Sequence, residues 1–72
     1  MYNQQIRTFI CVVEYGSFSK AAEQLYLSTV SVMKQINALE ERLGTKLVER
    51  SHLGISLTET GAVIYRQAKK IM

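Results

Sequence analysis

Hydrophobic positions fall into helical registers over most of this 72-residue chain. Ile6, Phe9, Ile10 and Val13 recur at i, i+3, i+4 and i+7, which predicts a first helix over roughly residues 4–15. Gly16 follows as a left-handed stop, and Ser17 can cap a second helix. That helix turns Phe18, Ala21, Ala22 and Leu25 inward, the two alanines being small enough for another helix to approach closely. Tyr26 and Leu27 remain as a corner, with Leu27 plugging it. Ser28 caps a third helix that ends at Leu43 before Gly44, with an apolar stripe at Val32, Ile36, Leu39 and Leu43.

Beyond Gly44 the period shortens. Lys46, Val48 and Arg50 alternate with Leu47 and Glu49, and Ile55, Ser56 and Leu57 follow a short polar turn. A two-stranded hairpin is expected around Ser51 to Gly54, with Gly54 at positive φ. Thr58 caps a last helix carrying Ala62, Tyr65, Ala68 and Met72 at helical spacing. That apolar face is expected to stay open, as on a helix cut short.

The face of the third helix opposite its stripe carries Val30, Met33, Lys34 and Asn37. Lys34 and Asn37 suit water, whereas Val30 and Met33 are apolar where water is expected. Short hydroxyls, a cation and apolar groups on exposed N-terminal turns fit the major groove of DNA. Hydroxyls and lysine reach phosphates and base edges there, and apolar groups meet thymine methyls. A second reading has Val30 and Met33 packing on another protein surface, and Lys34 then a solvated lysine.

Charge and composition narrow the choice. The formal charge is +3 with a pI near 9.3, and its distribution says more than its size. Arg7 and Lys20 balance Glu14 and Glu23 before residue 28, so the positive excess lies from the third helix onward. A polyanionic partner is compatible with that. Cys11, the only cysteine, sits in an apolar run and reads as a small buried hydrophobe, with no disulfide available. No apolar run nears 18 residues and no basic-plus-apolar leader opens the sequence, so a cytoplasmic protein without membrane insertion is expected. With no Asp, one His and no glycine-rich phosphate loop, neither a carboxylate dyad nor a nucleophile triad can be assembled. An enzyme, a metal site and a cofactor are therefore not expected.

Many fixed spacings together resemble the N-terminal winged helix-turn-helix domain of LysR-type transcriptional regulators. The matching segments begin with Phe9 and Val13, Gly16-Ser17-Phe18-Ser19 and Ala21-Ala22-Glu23-Gln24-Leu25. They continue through Gln35-Ile36, Ala38-Leu39-Glu40, Leu43-Gly44, Leu47-Val48-Glu49-Arg50, and Leu57-Thr58-Glu59 with Gly61. The resemblance implies a mainly α fold: a three-helix core, a two-stranded β wing and a truncated C-terminal linker helix. It divides the chain into a DNA-binding domain over residues 1–58 and the start of a dimerisation helix over 59–72.

Double-stranded DNA is the implied partner, with the third helix in the major groove and the wing on the adjacent backbone or minor groove. By position, Thr29, Val30, Met33, Lys34 and Asn37 would face bases and phosphates, Ser28 would hold a phosphate, and Arg50 and His52 would serve the wing. Two of these have plainer readings: Arg50 in an ion pair with Glu49 or Glu40, and His52 as a solvated loop residue. Arg66, Lys69 and Lys70 read as the wet face of the last helix. The family often has Gln-Pro at the positions of Thr29 and Val30, serine at Met33, arginine at Lys34 and a basic residue at Leu53. Those departures reduce guanine readout and phosphate affinity. The resemblance also implies a homodimer through the last helix of a full-length protein, weak or absent here, and an effector-binding domain absent from this chain, which is read as an excised fragment ahead of a naturally minimal protein. The competing class is a winged helix that docks another protein through Val30, Met33 and Leu53.

Overall fold

A computed structural model describes residues 4–51 and 54–71. Helix α1 spans Gln4–Tyr15, α2 Phe18–Leu25 and α3 Thr29–Leu43. Strands β1, Val48–Ser51, and β2, Gly54–Leu57, form an antiparallel hairpin, and α4 covers Glu59–Ile71. The expected element order and helix limits hold. Ser17 and Ser28 cap α2 and α3 through side-chain oxygens that accept from Lys20 N and Ser31 N, each satisfying a donor the helix itself leaves free. Gly54 has φ +125°.

Helices α1, α2 and α3 pack on one another around Phe9, Val12, Val32, Ile36 and Leu39, all at or below 1% exposure. Ala21 and Ala22 are buried in that contact, as their size predicts. Each such large apolar side chain stabilises the fold by roughly 1.5–3 kcal/mol. Thr8 is also fully buried, and its hydroxyl donates to the side-chain Oε1 of Gln35, joining α1 to α3. Among the described residues no helix is long and apolar enough to cross a membrane.

Several side chains depart from the periodic reading. Leu43, expected on the buried stripe, is 43% exposed, while Glu40 is buried at 7%. The cause lies at the end of α3. Gly44 N–H bonds Glu41 O at 3.3 Å and Thr45 N–H bonds Glu40 O at 3.1 Å, a reversal that needs the left-handed φ of Gly44. The chain folds back at once, and Leu47 closes the core in place of Leu43. Leu47 and Val48 are consecutive and both buried, so the expected alternation fails there. Phe18 and Leu25 pack on the core but are only half-buried. Cys11 is half-buried rather than buried, its thiol donating to Ala21 O at 3.9 Å. Burial first, then Glu14, raises that thiol above its ordinary pKa, against a smaller opposing effect of Arg7.

The last helix also differs. Its apolar stripe is covered in part: Ala68 is 3% exposed, and Ala62 and Tyr65 are half-buried, on a helix that packs on α1. Met72 lies outside the described residues. At the same contact Glu14 of α1 accepts from Lys69 Nζ at 2.7 Å and Tyr65 Oη at 3.3 Å, so Lys69 is not simply a wet-face lysine.

A carboxylate ties the wing to the helices. Glu40 Oε2 accepts the N–H groups of Leu47 at 2.8 Å and Val48 at 3.2 Å, at the root of β1. Lys46 stands 3.9 Å from the other oxygen. Thr58 then bonds this root from the far side, its N–H to Leu47 O at 3.1 Å and its hydroxyl to Lys46 O at 2.7 Å. The same hydroxyl caps α4 by accepting from Gly61 N at 2.9 Å.

Two predictions follow from these contacts. Glu40→Ala strands two N–H groups at a buried junction and should lower unfolding stability by roughly 2–3 kcal/mol. Glu40→Gln keeps an acceptor oxygen and should lose clearly less; equal losses in urea titrations would mean that the bonds contribute little. The second concerns pH. Hydrogen bonding to Lys69 holds the Glu14 carboxyl below its ordinary 4.5, and Glu14 in turn raises the Lys69 ammonium above 10.5. A depressed carboxyl stabilises the fold above its unfolded value, and that contribution vanishes as pH falls through the folded value. The raised lysine loses its share as pH rises through its own. The stability gap between wild type and Glu14→Gln should thus be flat at neutral pH and close on the acid limb. It should be small, because both groups are largely exposed. Thermal melts against pH check this, and a gap that widens in acid contradicts it.

Candidate nucleic-acid interface

Burial of Val32, Ile36, Leu39 and Glu40 fixes the rotation of α3, and that rotation decides what its other face presents. Val30 is 60% exposed. Lys34 and Asn37 are exposed, while Thr29 and Met33 are half-buried. Ser28 Oγ accepts from Ser31 N at 3.1 Å and its hydroxyl donates to Ser31 Oγ at 3.0 Å. Ser28 is thus committed to the helix end yet remains exposed. The structure brings Ser28, Thr29, Val30, Met33, Lys34 and Asn37 onto the N-terminal two-thirds of one helix face, as the spacing requires.

Arg50 comes to this face from the wing. In the hairpin Val48 pairs with Leu57, Glu49 with Ser56, Arg50 with Ile55 and Ser51 with Gly54. Val48 is anchored by Glu40, so Arg50 stands two residues from a fixed point. Its guanidinium carbon lies 5.2 Å from the centre of the Phe18 ring, within reach of a cation–π attraction. Arg50 Nη1 points at Met33 Sδ at 3.9 Å. The ion-pair reading of Arg50 is displaced: among the described residues it forms no ion pair with Glu49 or with Glu40, which takes Lys46 and the two backbone donors, and Arg50 rests on an aromatic ring and a thioether. Neither partner neutralises it, so the cation stays available to an anion.

Between α3 and β1 lies an open cleft of about 320 Å³, with Met33 and Asn37 on one wall and Glu49 and Arg50 on the other. On the far side of Arg50 a shallower groove runs along Ser17, Ser19, Ser51 and Gly54. Arg50 and Phe18 line both. His52 and Leu53, assigned from the sequence to the wing and to an apolar patch, lie outside the described residues. Among the described residues no cluster of His, Cys, Asp or Glu could hold a metal ion.

Sequence reasoning missed the Phe18 ring as the seat of Arg50. Periodicity marked Phe18 only as core, and its half-burial is what leaves a ring face free for the guanidinium. Tyr26, read as part of the corner, is 95% exposed and takes φ +58° and ψ +40°. The available signal was the lack of a glycine at that corner, where α1 and α3 each end on one.

Comparison with known proteins agrees with this geometry. Residues 3–62 match the family described as bacterial regulatory helix-turn-helix protein, lysR family. The HTH-type transcriptional regulator CrgA of Neisseria meningitidis serogroup C (strain 8013) is 43% identical over 70 residues, covering 97% of this chain and 23% of that protein. A crystal structure of a CbnR_DBD–DNA complex superposes with a TM-score of 0.91 at 41% identity, covering 99% of this chain and 82% of that one. A BenM_DBD/catB site 1 DNA complex gives 0.92 at 38% identity, covering 99% and 76%. The chain thus spans about a quarter of the length of the curated relatives it matches.

Proposed function

Because the chain belongs to the lysR family of bacterial regulatory helix-turn-helix proteins, we propose that it is the DNA-reading part of a transcription regulator. It binds double-stranded DNA with α3 in the major groove and the hairpin wing on the adjacent backbone or minor groove. The observation that carries this reading is the outer face of α3. An exposed valine, a half-buried methionine, an exposed lysine and an asparagine stand together there, beside an arginine that no carboxylate among the described residues pairs with. Such a set matches phosphates, base edges and thymine methyls. The likeness to solved DNA complexes of the same fold supports it further.

In this reading Ser28 holds a phosphate at the end of α3. Thr29, Val30, Met33, Lys34 and Asn37 face bases and phosphates, and Arg50 and His52 serve the wing. Lys34 contributes a point charge rather than a bidentate fork, so guanine readout is weaker than an arginine there would supply. Residues 1–58 form the DNA-binding domain, and residues from 59 onward begin a linker helix through which the whole protein dimerises. An effector-binding domain belongs to the remaining three-quarters of such a protein, which works in the cytoplasm and is not an enzyme.

Selecting bound duplexes from a random pool at two salt concentrations tests the proposal directly. Enrichment of a defined half-site, with affinity falling steeply as salt rises, is expected. Salt-insensitive binding to a protein, with no duplex enriched, favours a docking module instead. Lys34→Ala should weaken selected and random duplexes alike and flatten the log–log salt slope by about one unit. An unchanged slope removes Lys34 from the contact set. Because α4 packs on α1, with Ala68 buried and Tyr65 half-buried within this chain, the 72-residue chain should be mainly monomeric at micromolar concentration in sedimentation equilibrium. Fusing it to a parallel coiled coil should raise affinity for a paired half-site by about 10²–10⁴. A fused dimer that gains nothing contradicts the paired-half-site reading.

A further inference from the structure

Helices α1 and α3 both end on a glycine in the left-handed region, Gly16 at φ +65° and Gly44 at φ +71°. Helix α2 ends in the same geometry on Tyr26. Its N–H bonds Glu23 O at 3.3 Å and the Leu27 N–H bonds Ala22 O at 2.9 Å, the reversal that Gly44 and Thr45 make at the end of α3. Among the described residues Tyr26 is the non-glycine with positive φ. The left-handed region crowds Cβ against the following carbonyl oxygen, and short polar residues such as asparagine tolerate it better than large ones.

Packing does not explain this choice of residue. Leu27 is the corner residue that packs on the core, whereas Tyr26 is 95% exposed. The ring contributes almost no burial and sits on a strained backbone, a combination found where a residue is kept for what it touches outside the fold.

Its position selects the contact. Tyr26 stands two residues before the Ser28 cap, so its Cα lies within about 7 Å of the N-terminus of α3. Thr29 and the exposed Val30 follow immediately, and exposed Lys34 is one turn further. A recognition helix that enters a major groove by its N-terminal end has a sugar–phosphate strand passing beside that end. We propose that Tyr26 is a positioning residue for duplex DNA, its phenol O–H donating to a backbone phosphate that flanks the N-terminus of α3. The proposal rests on the DNA-reading function set out above. A neutral donor at this place sets the register of α3 without reading sequence, and it neutralises no phosphate charge.

Neutrality supplies the test. The full chain, Tyr26→Phe and Tyr26→Asn are titrated against a duplex selected by wild type and against a random duplex, over a range of salt. Tyr26→Phe removes the hydroxyl and keeps the strain. It should melt with wild type and lose roughly 3- to 10-fold in affinity on both duplexes. Its log–log salt slope should be unchanged, unlike that of a lysine contact. Tyr26→Asn relieves the backbone and should raise Tm by about 4 °C while losing at least as much affinity. A methylphosphonate at the contacted position should erase the difference between wild type and Tyr26→Phe. Equal affinity of wild type and Tyr26→Phe overturns the inference alone, as does an effect of Tyr26→Phe confined to binding another protein. A wild-type chain that binds no duplex at any salt overturns the functional reading and this inference together.

Discussion

The carboxylate of Glu40 is the point from which the wing takes its position. It is a charged group at 7% exposure on the inward face of α3, and it is tolerated there because it accepts two backbone N–H groups that would otherwise be stranded. Those donors belong to Leu47 and Val48, three and four residues beyond the reversal at Gly44. Leu47 then receives the Thr58 N–H, Thr58 caps α4, and Gly61 rests against the Leu47 backbone. A Cβ built on Gly61 would stand 2.0 Å from Leu47 O, so α4 can lie this close only with glycine there. Through these bonds α3, the hairpin and α4 share one frame of reference.

That frame gives the exposed groups their relative positions. Helix α3 turns Val30, Lys34 and Asn37 outward because its opposite face is held by Val32, Ile36 and Leu39. Arg50 reaches the same side because β1 is rooted on α3 two residues earlier. It is held there by Phe18 and Met33, neither of which carries a charge. A cation supported by a ring and a thioether keeps its long-range field while losing much of its rotational freedom. This suits a contact that has to meet phosphate in a defined place.

Strain is placed where the fold has least need of it. Two helix ends use glycine for the left-handed residue, and the corner between α2 and α3 uses an exposed tyrosine. Inward packing of Leu27 and the cap at Ser28 hold that corner in shape. The reversal therefore survives a residue that local preference would not select, and its ring is left exposed two residues before the α3 cap.

The chain's own letters determined the helices, their caps and their stops, because 3.6-residue spacing, a cap hydroxyl and a left-handed glycine are local matters. They also determined the outward face of α3, since an amphipathic helix has one rotation that buries Val32, Ile36 and Leu39. The tertiary structure alone decided what depended on contacts between distant segments. It exchanged Leu43 for Glu40 and Leu47 at the end of the core, because the reversal at Gly44 brings the wing root back over α3. It buried Ala68 of α4 by packing that helix on the rest of the chain, where a stripe viewed in isolation looked unpartnered. It set Arg50 on Phe18, a pairing 32 positions apart in sequence. Periodicity reports which face of an element is apolar; which segment covers that face is settled only when the packed chain satisfies its buried donors and fills its core.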